Sequence, residues 1–600
     1  MPRKTGLSPS WPFAPSLRLD IVATVVIFRR AGWPGGMSRS FSYLVFGFTA
    51  LFFAVFFVQP IAIMVWGAFV DPAGRFTMDF VLSIFRDPVY LEGLVNSLKM
   101  GALSTAAAVA LALPLALMAN RYRFPGREFL GAMLLVPMIL PPFVGAIGVR
   151  QILGQAGVLN VLLMKFGLMD PSHPVDWLGG GQLSGVVLMN ALHLYPIAYL
   201  NISAALANLD PAMEEAAENL GCHGFRRLRR ITLPLIAPGL FAGCTIIFIW
   251  AFTELGVPLM FDYSRVTSVQ IFGLLKDLSG NPLPYALVVV MLVASVLIYL
   301  TGKALFGRAD FASSGRASTG RTLTEPTRVV GWSCTAAFAG VIFLAILPHL
   351  GVVLTSVASD WYGTLLPGGY TMDHFQEALG HPLTVSSIGN SLRYASFSTL
   401  FDIALGVAIA WVVVRTGIPG RQILDAMSML PLAVPGLVLA FGYFSMTREK
   451  QPFDFLILGE DPVIILVIAY AVRRLPYVVR SAAAGYQQTS VSLEEAAQNL
   501  GCPPFKTLIK ITLPLIAANL IAGSLLAFSF AMLEVSDSLI LAEQGRHFPI
   551  TKAIYSLVSA LGHGPEIAAA LGVWAMVFLA TTIVGAGLIL GQKLGALFRV

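Results

Sequence analysis

Long apolar runs alternate with short polar segments along nearly the whole chain. Runs long enough to form a helix of about 20 residues, the length that crosses a bilayer's hydrocarbon core, lie near 42–70, 94–118, 129–149, 183–206, 236–261 and 284–306. A second set lies near 329–358, 390–414, 424–446, 462–484, 515–541 and 566–590. The pattern predicts an all-α integral membrane protein of about twelve transmembrane helices. Pro114, Pro137, Pro141 and Pro435 fall inside runs, which packed membrane helices tolerate. Basic residues gather after the second, fourth, sixth, eighth and tenth runs. Examples are Arg121, Arg123 and Arg127, then Arg226, Arg227, Arg229 and Arg230, and Lys506 with Lys510. The segment 359–389 has no Lys or Arg. This bias places both termini and the even-numbered loops in the cytoplasm.

Composition removes the soluble alternative. Of 600 residues, 56% are hydrophobic and 12% charged, against about 25% charged in an ordinary soluble domain. The mean hydropathy is +0.77. The net charge of +7 is accounted for by the cytoplasmic loops, so no nucleic-acid partner is implied. The four cysteines, Cys222, Cys244, Cys334 and Cys502, lack the spacing of a zinc site or a disulfide framework. Near the N-terminus, the apolar stretch 21–28 is too short to span and runs into Arg29 and Arg30. It is not read as a signal peptide. Residues 1–40 read as a cytoplasmic segment, with Met37 a candidate start of the native product.

The two sets of runs repeat each other. Asn96-Ser97-Leu98 returns as Asn390-Ser391-Leu392, Pro125-Gly126-Arg127 as Pro419-Gly420-Arg421, and Pro137 and Pro141 as Pro431 and Pro435. All are offset by 294; further on the offset is 280, so the first half holds 14 extra residues, most simply in an external loop near 150–182. The strongest match is AMEEAAENLGCHGFRRLRRITLPLIAPGLFAG at 212–243 against SLEEAAQNLGCPPFKTLIKITLPLIAANLIAG at 492–523, identical at 20 of 32 positions. Six spans per half put both copies on the same side, so the repeats are parallel. The expected organisation is repeat 1 over 41–310, a cytoplasmic linker over 311–328, and repeat 2 over 329–600. The repeated loops lie at 212–235 and 492–515.

The loop has a physical logic. Residues 214–220 form helix readily, Gly221 ends or bends that helix, and a basic segment follows. Pro234 then suits the first turn of the next span. A loop that merely joined two spans would not need one sequence twice.

On these residues the chain resembles the permeases of binding-protein-dependent ABC importers. Glu215-Ala216-Ala217, Gly221 and Ile231-x-Leu233-Pro234 match their EAA signature, as do Glu495-Ala496-Ala497, Gly501 and Ile511-x-Leu513-Pro514. The chain looks like a fused double permease over about residues 40–600, most similar to the ferric-iron type. The resemblance implies that each loop docks on a cytoplasmic ATPase subunit. Glu215 and Glu495 would be polar contacts, and Gly221 and Gly501 would permit close approach. Arg226, Arg227, Arg229 and Arg230 would face either acidic ATPase surface or anionic lipid. It also implies two ATPase subunits and an external solute-binding protein as partners, and the bacterial inner membrane as location.

Chemistry of its own is not expected. Gly302-Lys303-Ala304 is the nearest approach to a phosphate-binding loop and lacks the Ser or Thr, so ATP and Mg would be held by partner subunits, and no cofactor by this chain. The Gly179-Gly180-Gly181 run reads as an external turn. His374 and His381 read as ordinary solvated loop residues. Glu254 and Glu534 stand at the same repeat position, 39 residues after Glu215 and Glu495. An acid within a span is costly and tends to face a bundle interior or an aqueous path. These two either line a translocation route suited to a cation or are structural acids bonded within their own half. Asp402 and Asp537 lack acidic counterparts, and Cys222 and Cys502 read as small packing residues.

The expected function is thus the membrane subunit of an ATP-driven importer, with ferric iron as first substrate and organophosphonate, thiamine or polyamine as alternatives. An ion-coupled secondary transporter is the rival from another class, because two parallel six-helix halves also describe it. A membrane enzyme would need clustered catalytic residues, and none is seen in the sequence.

Overall fold

The computed structural model describes residues 39–71, 73–138, 140–178, 183–277, 281–306, 323–449, 451–457 and 461–589. The segment 1–38, the Gly179–Gly181 run and most of the linker lie outside them. The main helices are α1 Arg39–Phe69, α2 Pro88–Arg121, α3 Pro142–Leu153, α4 Leu183–Ala207, α5 Pro211–Asn219, α6 Gly224–Phe252 and α7 Leu283–Phe306. The second half follows with α8 Arg328–Val357, α9 Pro382–Arg415, α10 Gly436–Met446, α11 Val463–Gln488, α12 Val491–Asn499, α13 Pro504–Met532 and α14 Gly564–Ile589. One short antiparallel pair, Ala358–Asp360 with Gly369–Tyr370, interrupts the helices.

Among the described residues, ten helices are long and apolar enough to cross a membrane, or eleven if one bent pair counts as a span. That pair, Arg421–Leu432 with Gly436–Met446, turns by 95°. Two of the twelve runs, 129–149 and 424–446, do not fold as single straight helices. Their prolines are the reason. Pro137 and Pro431 sit in 3-10 turns, Val136–Met138 and Leu430–Leu432, and Pro141 and Pro435 hold extended backbone just before α3 and α10. Proline offers no N–H to the helical ladder, so carbonyls are freed. In the first half α4 meets this need: Tyr195 Oη donates to Leu134 O (3.0 Å), and the His193 ring bonds Pro137 O (2.9 Å).

The repeated motifs have matching roles. Asp87 and His381 cap α2 and α9 by accepting from Val89 N (2.8 Å) and Leu383 N (3.2 Å), each with a proline at the first helical position. Asn96 donates to Arg265 O (3.1 Å) while Ser97 Oγ accepts from Thr267 N (2.9 Å). Asn390 donates to Arg546 O (2.8 Å) while Ser391 Oγ accepts from Ile550 N (2.8 Å). Each Asn-Ser pair thus fixes the start of a later helix, Thr267–Gly273 or Ile550–Val558. Arg127 and Arg421 turn back onto the carbonyls ending the preceding span, at Ala119 (2.9 Å) and Thr416 (2.5 Å), where a cation is favoured.

The halves exchange their first helices. α1 packs on α10, and α8 packs on α3. Tyr443 Oη donates to Phe56 O (2.7 Å), a carbonyl in the π-helical turn Ala54–Val58. Gly442 lies on Pro60, where an added Cβ would stand 2.8 Å from the proline's Cβ. Gly148 lies so closely on α8 that an added Cβ would overlap the Pro348 carbonyl oxygen. Gly148→Ala should therefore destabilise the fold by about 1–3 kcal/mol. Gly340→Ala, on α8 with open space around it, should leave stability equal or higher. Thermal denaturation of the two variants in detergent checks this.

Candidate functional site

Each repeated loop folds into a knob of the same geometry. Asp210 accepts from Ala212 N (2.9 Å) to start α5, with Pro211 next, and Ser490 accepts from Ser492 N (3.3 Å) to start α12. Both helices end alike. Gly221 N donates to Glu218 O (2.9 Å) and Cys222 N to Ala217 O (2.9 Å); Gly501 N donates to Gln498 O (2.8 Å) and Cys502 N to Ala497 O (3.0 Å). This paired bonding is a Schellman ending, and it requires a left-handed residue. The φ values of Gly221 and Gly501 are +79° and +85°. A Cβ at either would meet nothing within 4 Å. The glycines are thus demanded by backbone conformation, with no neighbour in this chain crowding them.

The chain then re-enters helix at Gly224 or Pro504 and passes through a π-helical turn, Leu228–Thr232 or Leu508–Thr512, into the next span. Pro234 and Pro514, which cannot donate to the ladder, follow these turns. The basic segment is therefore the foot of α6 or α13.

Glu215, Ala216, Glu495 and Ala496 are exposed, Ala217 is buried and Ala497 is half-buried. Beside them stand apolar side chains that the sequence reading passed over: Leu220 is 88% exposed, Leu500 89%, Phe225 76% and Phe505 67%. Their signal was present, since Leu and Phe recur at the same place in both loops. An exposed apolar cluster on a polar loop marks a contact surface. The acids one position earlier were also overlooked. Glu214 and Glu494 are buried; Glu214 accepts from Thr232 Oγ1 (2.7 Å), and Glu494 pairs with Arg415 (3.2 Å). Of the four loop arginines, Arg227 is buried and pairs with Glu218, whereas Arg226, Arg229 and Arg230 are exposed.

Glu254 and Glu534 lie at matching breaks after α6 and α13. These breaks meet across the halves, where a Cβ on Gly256 would stand 3.0 Å from Val535 Cγ1. Their surroundings differ. Glu254 Oε1 accepts from Gly256 N (3.0 Å) and Val257 N (3.2 Å). Glu534 is 4% exposed and pairs with both Arg473 and Arg474, and Arg473 also reaches Asp537 (3.3 Å). In the first half the positions of Arg473, Arg474 and Asp537 are held by His193, Leu194 and Val257. Both acids are thus bonded within their own half, and Glu534 is neutralised there.

Of the two histidines read as solvated loop residues, His374 is not one. His374 is buried, with its ring on Ala358 O (2.9 Å), and His381 is the cap of α9. Among the described residues, no group of three or more His, Cys, Asp or Glu side chains could hold a metal ion.

Two parallel helical halves, each with a broken span and a capped knob, define a membrane permease built by duplication. The chain belongs to the family described as "Binding-protein-dependent transport system inner membrane component", whose pattern matches twice, over 108–310 and 402–586. It is an ABC importer permease of the fused double type, similar to ferric transport permeases. It is 28% identical over 468 residues to the putative ferric transport system permease protein FbpB 1 of Haemophilus influenzae, covering 77% of this chain and 70% of that one. The ferric transport system permease protein FbpB of Actinobacillus pleuropneumoniae is 27% identical over 466 residues, covering 76% of this chain and 64% of its own length. The molybdenum transport system permease protein ModB of Escherichia coli is 31% identical over 180 residues, 29% of this chain and 79% of that one.

Proposed function

We propose that this permease carries ferric iron, delivered by an external solute-binding protein, and that two cytoplasmic ATPase subunits holding ATP and Mg dock on its two knobs. The observation that carries the docking is the pair of matching knobs, each presenting Leu220 and Phe225, or Leu500 and Phe505, beside an exposed Glu-Ala pair. ATP binding would move the knobs and switch the path between its two openings. Iron rests on the two ferric relatives, which align over about three quarters of this chain. The loop arginines favour both termini in the cytoplasm.

Uptake of labelled ferric iron by cells lacking this chain, but holding the ATPase and binding protein, tests the substrate. Restoring the chain should restore uptake. Unchanged uptake in cells that assemble the complex would remove iron and turn the search to organophosphonate, thiamine and polyamine.

A further inference from the structure

The repeated knobs are fastened to the membrane helices by different chemistry. In the second half, Arg415 is the last residue of α9. Its Nε lies 3.2 Å from Glu494 Oε1 in the first turn of α12, with side chains only 4% and 6% exposed. Its Nη2 donates to Thr489 O and Thr489 Oγ1, both at 3.0 Å, at the end of α11. The guanidinium carbon stands 5.4 Å from the centre of the Tyr486 ring, also on α11. One buried cation therefore ties together the ends of two spans and the start of the knob.

The first half keeps the acid, as Glu214, but lacks the hydroxyl and the aromatic ring. Thr489 and Tyr486 correspond to Leu209 and Leu206, and Arg415 to Arg121. Arg121 is exposed and lies over the Tyr122 ring at 5.5 Å. Glu214 accepts from Thr232 at the foot of α6.

We propose that Arg415 and Glu494 are positioning residues forming a rigid joint that transmits movement of the second knob to α9 and α11, so that the two knobs drive their halves unequally. The proposal rests on the docking reading above. A buried ion pair resists separation because parting it strands charge away from water. The knob, α9 and α11 then move as one body. In the first half, the hydroxyl bond from Thr232 ties its knob to α6.

The test uses the full chain with its ATPase subunits in proteoliposomes, in a background without the native cysteines. Spin labels at Val89 and Val385, exposed near the starts of α2 and α9, report the distance between the halves. Retention of ATPase on the purified complex is read separately. ATP should shift the distance in the parent protein. Glu494→Gln and Arg415→Met should keep the ATPase bound but weaken the ATP-driven shift in population by about tenfold. Arg415→Lys should recover part of it, and Arg121→Met should match the parent. A parent without a shift, an unaltered shift in Glu494→Gln, or an equal loss in Arg121→Met would each overturn the joint. If Arg415→Met does not accumulate, Glu494→Gln and Arg415→Lys decide by the same measure. ATPase retained on a Gly221→Asp/Gly501→Asp protein would defeat the docking reading itself. ATPase lost there, with a normal shift in Glu494→Gln, would remove the joint alone.

Discussion

Replacing Gly221 and Gly501 together by aspartate should abolish transport while the protein still inserts and accumulates. Both positions have left-handed backbone, at φ +79° and +85°, which costs a residue with a Cβ about 1 kcal/mol or more. The new side chains meet open space, so the spans and their packing are not disturbed. The change acts on the helix ending and on the surface around it. It strains the Schellman bonds and sets a carboxylate beside Leu220 and Leu500, the most exposed apolar groups of the knobs. Loss of both dockings should lower uptake at least about a hundredfold, as two weakened interfaces of about 1–3 kcal/mol each would give. Labelled-substrate uptake and retention of ATPase on the purified complex are the measurements. Undiminished transport in the double variant would end the coupling assignment.

The second large effect separates two acids that are equivalent by sequence. Glu534→Ala should destabilise the protein by about 2–4 kcal/mol, because the half-buried Arg473 and Arg474 would be left with too little opposing charge. Glu254→Gln should cost at most about 1 kcal/mol, since the amide oxygen can still accept from Gly256 N and Val257 N. Accumulation in the membrane and thermal unfolding in detergent should show Glu534→Ala failing where Glu254→Gln folds. Equal behaviour would mean that the charged cluster of the second half has no greater structural weight than the cap of the first.

Much of the architecture was legible because lipid is an unforgiving solvent. A helix that must bury its backbone bonds in hydrocarbon needs an uninterrupted apolar run, so most spans could be counted directly. The runs containing Pro137 and Pro141, and Pro431 and Pro435, misled for a definite reason. Apolar composition permits a span, but whether a proline pair breaks it depends on neighbours that satisfy the freed carbonyls, as Tyr195 and His193 do. Length and hydropathy contain no information about those neighbours.

The duplicated loops divide in the same way. The sequence by itself determined that the chain is a doubled membrane permease and that Glu215, Gly221, Glu495 and Gly501 belong to paired knobs, because a repeated motif is visible without coordinates. It also determined that the knob helices end at Gly221 and Gly501, since a left-handed glycine is a local feature. Only the tertiary structure decided that Glu214 and Glu494 are buried, that Glu534 lies between two arginines while Glu254 does not, and that each half lays its first helix on the other. Those outcomes depend on residues far apart in the chain, such as Arg415 with Glu494 and Gly148 with Pro348. A buried charge or a close glycine contact acquires its energy from the partner that folding brings to it, and sequence neighbours do not supply that partner.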